Sequence, residues 1–205
     1  MHYLKLALLA EGPSDHRFLP LVLRRLTIDL CARKAPRPVE IDDEVMVLSP
    51  HSLSETSRNF NLLFSHADGA GNPAAARTRS LLPLAGWQPT RQWRPIPVIP
   101  VREMEAWALV DGEALRSAFG SIIEDDELGI PSRARDVEAI FDPKRALDEA
   151  FGRALGGRKR RKARAVHFLS AIGERVSLER LRQVPAFQEL ESDFQQALEE
   201  LGYFR

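Results

Sequence analysis

Five carboxylates stand where runs of apolar residues stop. Glu11 and Asp15 follow Leu6-Ala7-Leu8-Leu9-Ala10, Asp68 follows FNLLFS at 60–65, and Glu103 and Glu105 follow PIPVIPV at 95–101. Hard divalent cations want carboxylate oxygens, and Mg²⁺ usually takes one or two of them together with waters and substrate phosphates. Five acids would therefore serve one or two ions, and two ions about 4 Å apart can activate a water and stabilise the leaving oxygen in phosphodiester hydrolysis. The acids also have an ordinary reading. Charged residues make up 28% of the chain, and Asp15, Glu103 and Glu105 would each complement the positive first turn of a following helix. Glu11 is the least ordinary, because it ends a buried-type run and passes at once into Gly12-Pro13.

The elements that must position these groups follow from the hydrophobic pattern. Tyr3 to Ala10 is nearly continuous in apolar residues, as in a strand covered on both faces of a parallel sheet. Pro13 and Ser14 offer a helix start with Ser14 as N-cap, and Phe18, Leu19, Leu21, Val22, Leu26 and Leu30 continue it to about Ala35-Pro36. Val45–Leu48, Phe60–Ser65 and Pro95–Val101 read as three further strands, with helices expected over 74–84 and 102–111. Strands alternating with helices over the first ~110 residues predict an α/β layer structure with a mostly parallel sheet, which binds ligands at the carboxyl ends of its strands. Beyond 112 only helical patterns remain, from Asp142-Pro143 through Phe151 and over 163–173, 177–183 and 186–202. The expected organisation is an α/β core over 1–111 and a helical C-terminal extension over 112–205, packed on the core.

Composition narrows the function classes. The chain has 205 residues, 44% of them hydrophobic, and equal numbers of basic and acidic residues, 29 each. Affinity for a polyanion must then come from local clustering. One cysteine, Cys31, excludes an internal disulfide framework and a cysteine-rich zinc site. The first apolar run meets Glu11 too soon for a signal peptide and no run approaches the ~20 residues of a membrane span, so a cytoplasmic location is expected. There is no Gly-x-x-x-x-Gly-Lys-Ser/Thr loop, which excludes ATP hydrolysis by that route. His51, Ser52 and Ser54 lack the elbow and orienting acid of a hydrolase triad.

LLAEGPSDHRFL resembles the first motif of Toprim domains, and the Glu11–Asp15 spacing is similar to the variant in nucleases of the overcoming-lysogenisation-defect type. VIPVREMEAWALVD, with DPKRAL and PAFQEL downstream, resembles a bacterial Toprim-like family of unknown function. The resemblance implies a Toprim-like, Rossmann-like α/β core and Mg²⁺- or Mn²⁺-dependent chemistry on nucleic-acid phosphodiesters, in relatives that work beside a separate ATPase in phage defence. It implies that Glu11 binds metal or relays protons, that Asp15 is the second acid of the first motif, and that Asp68 is the later acid of an Asp-x-Asp pair. Glu103 and Glu105 match the acids of a third segment. His66 departs from the pattern by standing where the earlier aspartate belongs, which removes a hard oxygen ligand and favours Mn²⁺ relative to Mg²⁺. His66 then reads as a transition-metal ligand, as a general base, as the mark of lost catalysis, or as an ordinary polar loop residue.

Arg158, Lys159, Arg160, Arg161, Lys162 and Arg164 form a basic run suited to phosphate backbones, or a solvated loop, and Lys144 and Arg145 could extend it. Trp107 reads as core. Two functions stand against each other: a metal-dependent nuclease or nuclease-like subunit, and a non-catalytic protein that holds nucleic acid or a partner on the same fold. A phosphoester hydrolase acting on a small molecule is a weaker third.

Overall fold

The computed structural model describes residues 2–10, 12–49, 60–85, 95–156 and 163–204. Four parallel strands form one sheet in the order β2-β1-β3-β4: β1 (His2–Leu9), β2 (Val39–Leu48), β3 (Leu62–His66) and β4 (Ile96–Val98). Helix α1 (Pro13–Lys34) joins β1 to β2, and α2 (Pro73–Leu81) lies between β3 and β4. The period of two along β1 explains its central place. Leu4, Leu6 and Leu8 enter the main core with α1, whereas Ala7 and Leu9 pack on the other face with Leu48 and Leu63.

The element boundaries depart from expectation where polar or N–H-lacking residues intervene. β2 begins at Val39, six residues before the apolar Val45–Leu48, because Asp42–Glu44 form an irregularity between the pairs Leu4↔Ile41 and Leu6↔Val45. β4 is only Ile96–Val98, since Pro95, Pro97 and Pro100 donate no ladder hydrogen bonds and a strand so built suits a sheet edge. Gly12, rather than Ser14, takes the N-cap position of α1, with Pro13 as first residue. The expected helix 102–111 reduces to the single turn α3 (Glu105–Ala108). Asp111 leaves the helical region and caps α4 (Gly112–Phe119), accepting from the N–H groups of Glu113 at 3.0 Å and Ala114 at 3.3 Å.

The second half is helical: α5 (Asp125–Leu128), α6 (Pro143–Ala154), α7 (Leu169–Arg175), α8 (Leu178–Leu181) and α9 (Pro185–Glu200). It shares one hydrophobic core with the sheet. Phe194 of α9 meets Phe64 of β3 edge to face at 5.0 Å, and Phe187 meets Trp107 at 5.3 Å. An ion cluster fastens the helices to α1: Arg33 pairs with Asp29 at 2.6 Å and Glu191 at 3.0 Å, and Arg182 pairs with Glu191 at 2.9 Å and with Asp29. Tyr203 donates its hydroxyl to the Tyr3 carbonyl at 2.9 Å. Among the described residues no helix is long and apolar enough to cross a membrane.

Candidate active site at the carboxyl edge of the sheet

β1 and β3 are neighbours and run parallel, so their carboxyl ends open on one side of the sheet, where α1 also begins. Gly12, Ser14, Asp15, His66 and Asp68 line a cavity of 570 Å³ there. Asp15 is 7% exposed. Its Oδ2 accepts from the Gly12 N–H at 3.1 Å, satisfying a donor that the helix start leaves unpaired.

His66 ends β3 with a side chain 3% exposed. Its Nδ1 lies 2.8 Å from the Val98 carbonyl on the neighbouring strand. A carbonyl only accepts, so Nδ1 carries the hydrogen and Nε2 is the atom free to gain a proton or bind an ion. Nε2 lies 3.4 Å from both Asp15 Oδ1 and Asp68 Oδ1. These are charge contacts rather than aligned hydrogen bonds, and Nε2 has no hydrogen-bond partner although it is buried. Burial opposes charge on the ring, but the two carboxylates outweigh it and push its pKa up to about 9. Burial likewise opposes charge on Asp68, yet His66, Lys144 and the Met104 N–H, which donates to Asp68 Oδ1 at 3.3 Å, hold its pKa below the usual carboxylate range.

The loop after β3 is held against the segment leaving β4. Gly69, Ala70 and Gly71 donate to the carbonyls of Pro100, Arg102 and Val101 at 3.0, 3.1 and 2.9 Å. A Cβ on Gly69 would lie 2.3 Å from both the Pro100 and Val101 oxygens, so this glycine is required by a close backbone approach. Two cations complete the cavity wall. Arg79 donates from Nη2 to the Asp68 carbonyl at 2.9 Å, and Lys144 lines the cavity from α6.

The third acidic segment divides. Glu103 is engaged by Lys144, accepting from its backbone N–H at 3.3 Å and from Nζ at 2.9 Å. It thereby satisfies the first turn of α6 and does not join the Asp15–His66–Asp68 group. Glu105 is 3% exposed and lines a separate cavity that adjoins the first. Its burial pushes its pKa up to about 7. Trp107 is fully buried in the core. Arg145 pairs with Glu149 at 2.8 Å within α6. Glu11, Arg158, Lys159, Arg160, Arg161 and Lys162 lie outside the described residues, as do His51, Ser52 and Ser54. Arg164 is described, 3.5 Å from Asp148.

Sequence reasoning missed Arg79 and Ser14 as parts of the cavity. Ser14 was readable only as a helix cap, and Arg79 as one of two basic residues in a helix; its turn toward the Asp68 backbone carries no local signal. Among the described residues no group of three or more histidine, cysteine, aspartate or glutamate side chains stands ready to hold a metal ion. The fit of a metal therefore rests on a narrower feature, the buried Nε2 of His66 between two carboxylates. A ring whose other nitrogen is tied to a backbone carbonyl is oriented as metal-binding histidines are.

Residues 10–195 match the family model described as Domain of unknown function (DUF4276). No curated protein and no solved structure matches the chain.

Proposed function

We propose that this chain, which belongs to the DUF4276 family, is a divalent-metal-dependent phosphodiesterase of Toprim type acting on nucleic acid. The observation that carries the reading is the His66 imidazole, anchored at Nδ1 by Val98 and presenting a buried, unpartnered Nε2 to Asp15 and Asp68. The parallel sheet with acids at the ends of its first and third strands also supports it.

Asp15 and Asp68 would hold the ion, with Glu11 of the same first motif as the resemblance implies, and His66 would join them on releasing the proton that the two carboxylates stabilise on it. Mn²⁺ suits a mixed nitrogen and oxygen set better than Mg²⁺ does. Once bound, the ion supplies Lewis-acid polarisation of a phosphoryl oxygen and lowers the pKa of a water. The chain's own residues do the rest. Arg79 and Lys144 bring positive charge to the wall where a phosphate oxygen would lie. The Val98 carbonyl fixes the His66 tautomer, and the Gly12 N–H fixes the Asp15 carboxylate.

A second reading, a binding protein without catalysis, is favoured by one observation: Asp15 and Asp68 already neutralise a protonated His66, forming a self-contained ion triad. Cleavage of labelled single- and double-stranded DNA and RNA with Mn²⁺, Mg²⁺ or chelator separates the two. The phosphodiesterase reading expects Mn²⁺-stimulated cleavage, abolished by chelator and reduced roughly 100-fold or more in Glu11→Ala and Asp68→Asn. Nucleic-acid binding without cleavage, indifferent to metal and to Glu11→Ala, would establish the binding reading instead.

A further inference from the structure

Glu105 lies at the start of α3 and lines a second cavity, of 220 Å³. Pro13, Leu147, Val166 and Leu169 give it apolar walls, and Arg164 adds a cation. Ser14 and Lys144 line both this cavity and the larger one, so the two adjoin. Among the described residues no neighbouring group donates a hydrogen bond to the Glu105 carboxyl, which its own backbone N–H contacts. Lys144 attracts its charge, but a buried carboxyl without a side-chain donor is costly. Apolar walls with a few polar groups, of which Lys144 and Asp148 are already engaged by Glu103 and Ala165, are, however, the construction of a ligand pocket.

We propose that the second cavity is a nucleobase subsite, in which the Glu105 carboxyl accepts a hydrogen bond from the exocyclic amino group of a base whose phosphate lies in the larger cavity. This rests on the phosphodiesterase reading above and adds to it a residue that determines specificity. A base is apolar on its faces and polar at its edge, which matches apolar walls with one carboxyl that no side chain hydrogen-bonds; the other lining acid, Asp148, accepts from the Ala165 N–H at 3.1 Å and pairs with Arg164 at 3.5 Å. Cytosine, adenine and guanine present an amino group at that edge, whereas uracil and thymine present a carbonyl that would face the carboxyl oxygens. Size agrees, because pockets for whole small ligands run to about 300–1,000 Å³ and this cavity is smaller, fit for a ring alone. Burial raises the Glu105 pKa to about 7, and a protonated carboxyl would donate to the uracil carbonyl as well, so the discrimination belongs to the ionised form and is read at pH 8.

Equilibrium binding of CMP, UMP and inorganic phosphate, each with Mn²⁺, tests the proposal on the full chain, on Glu105→Leu and on Leu147→Phe, which adds volume to the cavity wall and keeps the carboxyl. The wild type should bind CMP roughly tenfold or more tightly than UMP, the discrimination one base-edge contact supplies. Glu105→Leu should bring the ratio near one, Leu147→Phe should weaken both nucleotides, and phosphate binding should be unchanged in both variants. Equal affinity for CMP and UMP in the wild type, or a preference that survives Glu105→Leu, overturns the base subsite while leaving the phosphodiesterase reading intact. A wild type that binds neither phosphate nor either nucleotide overturns both.

Discussion

At the scale of the residue, Glu105 and His66 carry opposite formal charges but bias stability with pH in the same direction. The Glu105 carboxyl titrates at about 7 in the folded chain against an ordinary 4.5, so folding favours its protonated form. The stability this gives is fully present below pH 4.5 and is lost as pH rises through 7. The two carboxylates beside His66 raise its pKa from 6.5 to about 9, so its contribution is present below pH 6.5 and lost as pH rises through 9. Glu105→Gln, which keeps the shape but cannot ionise, should therefore remove the loss between pH 4.5 and 7 and unfold at higher urea than wild type at pH 8, by up to roughly 3 kcal/mol. Urea titrations at pH 5 and pH 8 decide this, and parallel curves for the two proteins would refute it. Of the groups at this edge, Asp15, His66 and Asp68 were legible because each follows a strand closely in sequence. Glu103 and Glu105 both match the acids of the third segment, with Glu105 preferred for the ion, but the fold sends Glu103 to Lys144 and Glu105 into a separate cavity.

At the scale of the element, the loop 67–71 matters because it is what places Asp68. Gly69→Ala would drive a methyl into two backbone oxygens that cannot rotate away. The loop's three hydrogen bonds to 100–102 would lengthen, with a stability loss of about 1–3 kcal/mol and, on the proposed metal-dependent reading, a higher Mn²⁺ concentration needed for cleavage. Gly152→Ala is the matched control. It lies in α6 with nothing within 4 Å of the added carbon, and should stabilise by about 0.5–1 kcal/mol. Melting curves of the two variants should move in opposite directions, and a neutral Gly69→Ala would show that the close approach is dispensable. The alternation of strands and helices was readable because buried parallel strands are apolar throughout. What hid the first half of β2 was the cluster Asp42, Asp43 and Glu44, whose charge imitates a loop. The break after α3 was marked only by Asp111-Gly112, where Asp111 caps the following helix at its N-terminus.

At the scale of the whole molecule, the division into an α/β core and a helical extension describes the topology rather than two independent units. Phe194 is fully buried in α9, against Phe64 of the sheet. Phe194→Ala should cost about 3–5 kcal/mol, and the sheet and the helices should unfold together. Coincident transitions by far-ultraviolet and near-ultraviolet circular dichroism would show this, whereas two separated transitions would mean the extension folds by itself. One further consequence belongs to the hydroxyl of Tyr203 resting on Tyr3. The bond joins positions 200 apart in sequence, so it closes only once the helices have docked on the sheet, and non-local contacts of this kind slow folding.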